Sequence, residues 1–421
     1  MLTNAPKGTK DIMPDQVYKW HYIEKKWKDV CQRYGFKEIR TPIFEHTELF
    51  QRGIGDTTDV VQKEMYTFED KGGRSITLRP EGTAGAVRSL IEHGLYNGPL
   101  PVKGCYVLSC YRYEKPQAGR LREHHQFGME CFGGKEPTVE AELIATLLGI
   151  LGDLGLKGLS VNINSIGCPH CRPKYHAALK EYLSGRLDQL CPTCRERFDR
   201  NPLRVLDCKE EGCKALVKDA PSMLDMLCDE CREHFETLQT LLTARGIPFK
   251  VDTHIVRGLD YYTKTVFEVM VSRGREGLAL CGGGRYDGLV EQLGGPATPA
   301  AGFGIGTERI IMELENQGVT LPQPPLCDVY IANLGAEAKQ PAYLLCQQLR
   351  DLGVRAEEDL CGRSLKAQFK YADKIAARYI VIVGGDELAR GTVKARNLST
   401  REEQEIPLDG AAEAIRALTQ G

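Results

Sequence analysis

Three arginines stand in segments whose residue types suit the binding of anions. Arg112 lies near the end of a predicted strand, Arg257 precedes two tyrosines, and Arg309 follows the alternating glycines of GFGIG. A planar guanidinium stays charged and binds phosphate or carboxylate in a bidentate way, and glycine lets a ligand approach the backbone. The pattern predicts a site that holds two anions against each other and absorbs developing charge, without a protein nucleophile.

The same segments allow other interpretations. An isolated arginine is most often an ion-paired surface residue, so the prediction rests on the complete segments. The alternating glycines resemble a dinucleotide-binding turn, but that turn has the spacing G-x-G-x-x-G and a later acidic residue. His124 and His125 suggest a metal site, but adjacent residues on a strand point to opposite faces. Anion binding remains the prediction that fits the spacing.

Eight of the sixteen cysteines lie between residues 168 and 231. Cys168 and Cys171 form C-x2-C, and Cys191 and Cys194 form another. These two pairs fit the spacing of a zinc ribbon, a structural site of tetrahedral geometry. The alternative is a set of reduced structural cysteines, because a chain without a secretion signal keeps its thiols reduced. The sequence leaves the pairing open, since four more cysteines follow at Cys208, Cys213, Cys228 and Cys231.

A hairpin of two strands is predicted to position Arg112. Residues 102–114 alternate and are rich in β-formers, residues 126–132 resemble a returning partner, and a charged loop with glycine joins them. A helix is predicted over residues 17–34, because Gly35 follows as a stop signal. Further strands are predicted at residues 75–78, 249–256 and 265–271.

The segment TLPQPPL, residues 320–326, is a proline-rich linker and predicts a domain boundary. After it, buried strands at 329–332 and 379–383 and a helix at 342–352 indicate a small α/β domain. Ser364 is the predicted cap of a further helix. Basic residues recur in this domain, and their usual interpretation is a solvated face: Lys366, Lys370, Lys374, Lys394 and Arg396.

Composition limits the class of protein. Hydrophobic residues make up 42% of the 421 residues and charged residues 27%, which is ordinary for a soluble globular protein. The net charge of -2 means that any RNA contact must come from local basic faces. The first residues lack the apolar core of a signal peptide, and the longest apolar run, residues 143–151, is too short to span a bilayer. We expect a cytoplasmic protein that makes no membrane contact.

Together these segments resemble the motifs of a known enzyme family. The strand–loop–strand around Arg112 resembles motif 2 of class II aminoacyl-tRNA synthetases, GFGIGTERI resembles motif 3, and the region around Pro42 resembles the dimer-forming motif 1. RGLDYY and GGGRYDGLV resemble the two histidine-specific motifs of histidyl-tRNA synthetases of bacterial type. With KGTKDIMP and RPEGTAG, the resemblance covers essentially the whole chain. Each motif is weak alone, but the combination is highly specific.

The resemblance implies roles in binding ATP. Arg112 would bridge the histidine carboxylate and the ATP α-phosphate, and Arg257 would neutralise charge on the α-phosphate. Arg309 would hold the γ-phosphate, and Glu114 the adenine amino group. The resemblance also implies ATP contacts for Arg120 and His124, whose imidazole stands where many relatives stack an aromatic carbon ring on adenine.

The resemblance also implies a pocket for L-histidine made of carboxylates and hydroxyls. Such a pocket rejects other amino acids, because they would leave its buried polar groups unpartnered. The implied residues are Glu81, Gly82, Thr83, Arg112, Gln126, Glu130, Arg257, Tyr261 and Tyr262, with Tyr286 as a further lining residue. Gln117 and Arg122 match positions that contact the acceptor end of the tRNA.

The implied fold is an α+β class II synthetase core, an antiparallel sheet flanked by helices. We expect the catalytic domain at 1–325, a cysteine-rich helical insertion at 168–235, and an α/β anticodon-binding domain at 326–421. The resemblance further implies a homodimer that joins histidine to tRNA(His), with Mg²⁺ accompanying ATP. The alternative is a synthetase-like, non-charging regulatory subunit of histidine biosynthesis, which usually lacks the C-terminal domain.

Overall fold

The chain divides into two compact units, residues 1–321 and 322–421. The computed structural model describes residues 3–55, 58–117, 119–208, 210–273 and 276–420. The division falls within the proline-rich segment TLPQPPL. No helix in the described ranges is both long and apolar enough to cross a membrane.

The larger unit is built on a sheet that carries helices on both faces. Its strands are β1 (Lys37–Glu38), β2 (Phe44–His46), β3 (Tyr66–Glu69), β4 (Ser75–Leu78), β5 (Val102–Tyr111), β6 (Glu123–Phe132), β7 (Leu159–Ser165), β8 (Phe249–Val251), β9 (Thr263–Arg273), β10 (Glu276–Arg285) and β11 (Ala300–Gly306). Its helices are α1 (Pro14–Arg33), α2 (Thr47–Ile54), α3 (Thr83–Glu92), α4 (Thr138–Asp153), α5 (Arg172–Ser184), α6 (Pro192–Arg200), α7 (Glu211–Val217), α8 (Asp229–Ala244), α9 (Leu289–Gln292) and α10 (Thr307–Asn316). Short 3-10 or π turns lie at Val60–Glu64, Leu95–Asn97, Leu187–Gln189, Pro202–Val205 and Met223–Met226.

Eight of the described strands form the main sheet, in the order β1-β5-β6-β11-β10-β9-β7-β8. Its six central strands are antiparallel, as predicted. The sheet becomes mixed at its edges, where β1 runs parallel to β5 and β8 parallel to β7. Parallel neighbours need a long crossover, and the helices before β5 and before β8 provide it. A separate three-stranded sheet has the order β2-β4-β3.

Most of the predicted elements are confirmed, with shifted ends. The β5–β6 hairpin pairs Val102 with Phe132 and Tyr111 with Glu123. The first helix begins earlier than predicted, at Pro14, because proline fits the first helical turn. The strand predicted at 249–256 ends at Val251, because residues 252–255 form a turn in which Ile255 N donates to Asp252 O.

Two apolar layers cover the faces of the main sheet. On one face, α1, α4, α8 and α10 bury residues such as Trp27, Leu147 and Leu238 against Phe127 and Phe267. On the other face, the helices of residues 172–217 pack with the segment that carries Tyr262 and Val266. The cysteine-rich insertion therefore shares an apolar core with the rest of the unit. Its buried leucines and tyrosine pack onto the sheet, so this apolar core is continuous across the insertion and the rest of the unit.

The smaller unit is an α/β domain, as predicted. Its strands are β12 (Val329–Leu334), β13 (Ala356–Glu358), β14 (Tyr379–Gly384), β15 (Thr392–Asn397) and β16 (Glu403–Pro407), and its helices are α11 (Lys339–Asp351), α12 (Leu365–Lys374), α13 (Gly385–Ala389) and α14 (Ala411–Gln420). The sheet order is β13-β12-β14-β15-β16, with β12, β13 and β14 parallel. Ser364 occupies the cap position of α12, but its side chain makes no capping hydrogen bond.

A buried ion pair fastens α4 to the end of β10. Arg285 is fully buried, and its Nε and Nη2 donate to Glu140 Oε1 and Oε2 at 2.8 and 2.5 Å. His234 Nε2 lies 2.7 Å from Glu140 Oε1. Burial alone would raise the pKa of Glu140, but the hydrogen bonds from Arg285 and His234 outweigh it and hold the pKa at about 2. Because Tyr286 follows Arg285, this pair also fixes a residue of the pocket described below.

We expect Arg285→Met to lower the free energy of unfolding by about 3–5 kcal/mol, because Glu140 would keep its charge without its main partner. The folded-state pKa of Glu140 lies below the ordinary value of 4.5 for a glutamate side chain. Its contribution is therefore present above about pH 4.5 and is lost as the pH falls toward about 2. Urea unfolding followed by circular dichroism measures both effects.

Arg33→Met is the matched control, because Arg33 of α1 forms an exposed pair with Asp153 of α4, the helix that also carries Glu140. It should cost less than about 1 kcal/mol. Equal effects of the two variants would contradict a special role for the buried pair.

Candidate active site

A row of glycines crosses the centre of the main sheet. Gly128 of β6, Gly304 of β11 and Gly282 of β10 lie opposite one another in register. Tyr106 of β5 and Glu268 of β9 stand at the two ends of this row. A methyl group on Gly128 would lie 2.1 Å from the Tyr106 ring, and one on Gly282 would lie 2.1 Å from Arg257 Nη2. The glycines therefore form a floor on which these two side chains rest.

Strand β6 presents alternate residues to the same face as this floor. His124, Gln126 and Glu130 share that face with Gly128, because side chains of a strand alternate with period two. The intervening Phe127 and Met129 are buried in the opposite apolar layer. One strand thus supplies three of the residues that the sequence predicted for the site.

A group of buried polar side chains, here called the Glu130 pocket, surrounds the carboxylate of Glu130. Its Oε1 accepts hydrogen bonds from Thr83 Oγ1 at 2.8 Å and Tyr106 OH at 2.7 Å, and its Oε2 accepts one from Tyr286 OH. A methyl group on Gly302 would lie 1.8 Å from Oε2, so glycine is required directly across the strand pair. Burial raises the pKa of Glu130 to about 8, although the three hydroxyl donors act in the opposite direction.

The turn before α3 closes this pocket. Glu81 is buried and accepts from the backbone N–H groups of Thr83 at 2.6 Å and Ala84 at 2.9 Å. Burial raises the pKa of Glu81. Gly82 N donates to Gln126 Oε1 at 3.1 Å, which ties the turn to β6. The predicted histidine-binding residues of the two segments therefore come together, although more than forty positions separate them.

Three tyrosines form the apolar side of the same pocket. The ring centroids of Tyr261 and Tyr262 lie 4.6 Å apart, and that of Tyr286 lies 5.5 Å from Tyr261. All three are buried. Because Tyr286 also donates to Glu130, the aromatic group and the carboxylate belong to one pocket.

A cavity of about 870 Å³ opens over the glycine floor, and arginines line it. The site residues that the sequence predicted and that line this cavity are Arg112, Glu114, Arg120, His124, Gln126, Arg257 and Arg309. The predicted ATP contacts thus share one space. A volume of this size suits a nucleotide-sized ligand.

Arg257 projects over Gly282 into the cavity. One of its terminal nitrogens pairs with Glu268, while its Nε is buried and has no hydrogen-bond partner among the described residues. Its backbone carbonyl accepts from Arg204 Nη1 at 2.6 Å. Glu268 therefore holds the side chain and Arg204 holds the backbone, and the Nε–H is a donor that no described residue uses, which suits the binding of an anion.

Backbone carbonyls hold Arg112 and Arg309 of the cavity wall. Arg112 Nε donates to Pro80 O at 2.8 Å, and Arg309 Nη1 donates to Ala279 O at 2.7 Å. His124 lies between them on the cavity wall. Burial, followed by the positive charge of Arg112, lowers the pKa of His124 to about 3. A neutral imidazole is the form best suited to stack on a nucleobase.

The two predicted tRNA contacts lie in the β5–β6 loop and are not among the described residues that line the cavity. Gln117 is exposed and pairs through its backbone with Arg120. The Arg122 guanidinium lies 3.8 Å from the centroid of the Tyr113 ring, and Arg122 N donates to Gly8 O at 2.7 Å. Arg122 is therefore fixed beneath the N-terminal segment.

The eight clustered cysteines form two groups of four. Cys168 and Cys171 lie with Cys228 and Cys231, whereas Cys191 and Cys194 lie with Cys208 and Cys213. The predicted combination of the first two pairs in one zinc site is therefore corrected. The two pairs belong to different groups. Cys168 and Cys171 precede α5, Cys191 and Cys194 follow it, and each pair lies beside a different later pair of cysteines.

Several residues of the site were not predicted from the sequence. Glu268 pairs with Arg257, Tyr106 donates to Glu130, and Arg204 supports Arg257 from the insertion. A charged residue inside the apolar run TVFEV was a signal for Glu268. Arg204 carried no signal, since only the packing of the insertion brings it to Arg257.

Comparison with known proteins agrees with this geometry. The family model "Histidyl-tRNA synthetase" matches residues 8–310, and the model "Anticodon binding domain" matches residues 328–418. The histidine–tRNA ligase of Alkaliphilus oremlandii is 55% identical over 408 residues, 97% of this chain and 97% of that protein. The histidine–tRNA ligase of Clostridium perfringens is 54% identical over 410 residues, 97% of this chain and 98% of that protein.

A solved structure extends the comparison. The crystal structure of apo S. aureus histidyl-tRNA synthetase has a TM-score of 0.84 and 37% sequence identity, covering 98% of this chain and 99% of that one. With a family model over most of the larger unit and relatives more than 50% identical along nearly the whole length, the chain belongs to the histidyl-tRNA synthetase family.

Proposed function

We propose that the chain activates L-histidine with ATP and transfers it to the 3′ end of tRNA(His). The observation that carries the proposal is the pocket of Glu130, which adjoins the cavity lined by Arg112, Arg257 and Arg309. The pocket offers a buried acceptor for a cationic amino acid, and the cavity offers guanidinium groups for phosphates. Gln126 lines the cavity and also binds the turn that closes the pocket, so it joins the two.

Activation requires one displacement at phosphorus. A carboxylate oxygen of histidine forms a bond to the α-phosphorus, and the bond from that phosphorus to the bridging oxygen breaks as pyrophosphate leaves. Arg112 would hold both reacting anions, and Arg257 would stabilise the charge that develops on the α-phosphate. Arg309 would bind the γ-phosphate. Mg²⁺ bound to the ATP phosphates would supply further charge neutralisation. Glu64, which lines the cavity, has a carboxylate that suits such a cation.

Recognition of histidine rests on the buried polar pocket. Glu81, Thr83, Gln126 and Glu130 would read the α-ammonium and imidazole groups, and Tyr262 would cover them. An amino acid without these donors would leave buried carboxylates unmatched, which costs several kcal/mol and gives strong discrimination. Tyr261 and Tyr286 would enclose the imidazole ring.

Transfer to tRNA would use surfaces of both units. Gln117 and Arg122 in the β5–β6 loop would contact the acceptor end. The exposed lysines of α12, at Lys366, Lys370 and Lys374, would contact phosphates near the anticodon. Lys394 and Arg396 of β15 are already near Glu403, at 3.8 and 3.5 Å, so they are weaker candidates.

The alternative is a regulatory subunit that binds histidine without charging tRNA. Two features favour the enzyme. Arg257 and the tyrosine pair are intact and engaged in the site, and the smaller unit, residues 322–421, is present and matches an anticodon-binding domain.

We further propose a cytoplasmic homodimer. None of the sixteen cysteines, all of which lie in the described residues, forms a disulfide, and a reducing compartment keeps cysteines in this state. The edge around Pro42 exposes Ile43 and Phe44, and Phe68 of the same three-stranded sheet is exposed as well. Apolar side chains grouped in this way suit an interface between two copies. The clustered cysteines would add structural zinc, which takes no part in the steps above.

We expect Arg257→Ala to lower histidine-dependent ATP–pyrophosphate exchange by about 10²- to 10³-fold, because a donor aimed at the developing charge is lost. Gly282→Ala should also lower exchange, since its methyl group would displace the same guanidinium. Exchange is measured with each amino acid in turn, and histidine alone should support it. Arg390→Ala, on the surface of the smaller unit, is the control and should exchange normally. A folded native chain without exchange would favour the regulatory alternative.

We expect the KM for histidine to fall as the pH rises from about 7 to about 8.5, because the carboxyl of Glu130 must lose its proton to receive a cation. The pKa of Glu130 lies at about 8, and the nearby Glu81 carboxyl helps to keep it high. Over this range the imidazole of free histidine is already neutral, so its titration does not contribute. Glu130→Gln should raise the KM and remove this dependence. An identical pH profile in the variant would contradict the assignment.

We expect Phe44→Asp to shift the chain from dimer to monomer, because a charge would be buried at the proposed interface. Size-exclusion chromatography with light scattering measures the mass. Leu360→Asp is the matched control, since Leu360 is 84% exposed in the smaller unit and should leave the mass unchanged. A native chain that is already monomeric would refute the proposed interface.

A further inference from the structure

The two four-cysteine groups have the geometry of metal sites. The first tetrad is Cys168, Cys171, Cys228 and Cys231, and the second tetrad is Cys191, Cys194, Cys208 and Cys213. Within each tetrad all sulfur atoms lie within 4.8 Å of one another. Each tetrad is built from two pairs that are close in sequence, and each joins segments that are distant along the chain.

The distances between sulfurs distinguish a metal site from a disulfide. Cys168 Sγ lies 3.7 Å from Cys171 Sγ and 3.8 Å from Cys228 Sγ, and Cys191 Sγ lies 3.8 Å from Cys208 Sγ. Zinc–sulfur bonds of about 2.3 Å place the sulfurs of a tetrahedron about 3.8 Å apart. A disulfide would require about 2.05 Å. The observed spacings match the edges of a zinc tetrahedron.

Backbone amides point at one sulfur of each tetrad. Cys228 N lies 3.2 Å from Cys171 Sγ, and Cys191 N lies 3.2 Å from Cys213 Sγ. Such N–H groups stabilise a thiolate, which is the form that binds a metal. The same arrangement occurs in both tetrads, although the two share no residues.

We propose that the chain binds two zinc ions, one in each tetrad, and that the second ion positions the insertion against the catalytic arginine. Four thiolates in tetrahedral arrangement select zinc over hard cations such as Mg²⁺. The ions have a structural role, because each tetrad supplies four protein ligands and leaves no position open for substrate.

The second tetrad is continuous with the wall of the active-site cavity. Cys191 and Cys208 line that cavity themselves. The segment between Cys194 and Cys208 makes three contacts with the site: Arg197 Nη2 to Asp59 Oδ2 at 2.6 Å, Asn201 Nδ2 to Asp260 Oδ1 at 3.0 Å, and Arg204 Nη1 to Arg257 O at 2.6 Å. Because ligands stand at both ends of this segment, the metal would fix its path. Arg204 is thus a positioning residue for Arg257, a role that rests on the proposed function.

The first tetrad lies behind the tyrosine pocket. Arg172, next to Cys171, donates to the backbone carbonyl of Tyr262. Lys264 Nζ, at the start of β9, pairs with Glu230 Oε1 at 2.8 Å, one residue before Cys231. This tetrad therefore fastens the insertion to the segment that carries the tyrosine pair.

Metal content tests the two sites directly. The full chain, purified under reducing conditions, should contain two zinc ions by inductively coupled plasma mass spectrometry. Cys228→Ser/Cys231→Ser and Cys208→Ser/Cys213→Ser should each retain one. Cys361→Ser is the control and should retain two, because Cys361 is exposed and belongs to neither tetrad.

A second measurement covers variants that fail to fold. Modifying the thiols of the native chain with a mercurial reagent should release two zinc ions, detected with a colorimetric zinc indicator. A folded, reduced chain that contains no zinc and takes up none when zinc is added would overturn the proposal. So would an intact mass that shows disulfides within the tetrads.

Exchange kinetics test the link to Arg257. Arg204→Ala and Cys208→Ser/Cys213→Ser should each lower kcat for exchange by about 10- to 100-fold, because a small displacement of a catalytic group has such effects. Combined, the changes should cost little more than either alone, since both act through one contact. If the two changes impaired exchange independently, their effects on kcat would instead multiply when combined. A folded second-tetrad variant with full kcat would refute the link.

The two proposals can fail separately. A native chain that holds two zinc ions but shows no exchange would remove the proposed function and leave the metal sites. A chain that shows normal exchange but holds no zinc would remove the metal sites and leave the proposed function.

Discussion

The glycine row of the main sheet is the constraint on which the site depends. Gly128, Gly304 and Gly282 lie side by side on three strands, so the sheet surface there consists of backbone alone. Any side chain at these positions would occupy the space of Tyr106, Gln126 or Arg257. The functional groups can therefore lie flat on the sheet and still leave a cavity above it. Glycine weakens a strand, and the long antiparallel neighbours on both sides offset that cost.

Two buried glutamates near this floor, Glu140 and Glu130, have different hydrogen-bond partners and opposite pKa shifts. Glu140 is matched by Arg285 and His234, so its pKa falls and the group serves as a fixed joint between α4 and β10. Among the described residues, the hydrogen-bond partners of Glu130 are neutral hydroxyl groups, which do not outweigh burial, so its pKa rises and it remains ready to accept a cation. The difference separates a residue that stabilises the fold from one that is available to a ligand, although both are fully buried glutamates.

The insertion is part of the active site. Its helices share an apolar layer with the tyrosine segment, and its polar side chains reach Asp59, Asp260 and the carbonyl of Arg257. Paired cysteines recur in sequence on either side of these contacts. Zinc bound in the two tetrads as proposed would fix the ends of this charged segment with its short helices, in addition to the apolar layer that it shares with the sheet.

Local signals in the sequence, namely alternation along a strand, glycine spacing and proline at a boundary, predicted the hairpin around Arg112, the domain boundary and the smaller α/β domain. The class of fold and the candidate site residues followed instead from the resemblance of the motifs to a known family. Tertiary structure alone decided which glycines lie in one row, that Glu268 and Arg204 support Arg257, and which cysteines combine. Strand register and the return of a helix bring together residues far apart in the chain, and neither leaves a local pattern that a single sequence reveals.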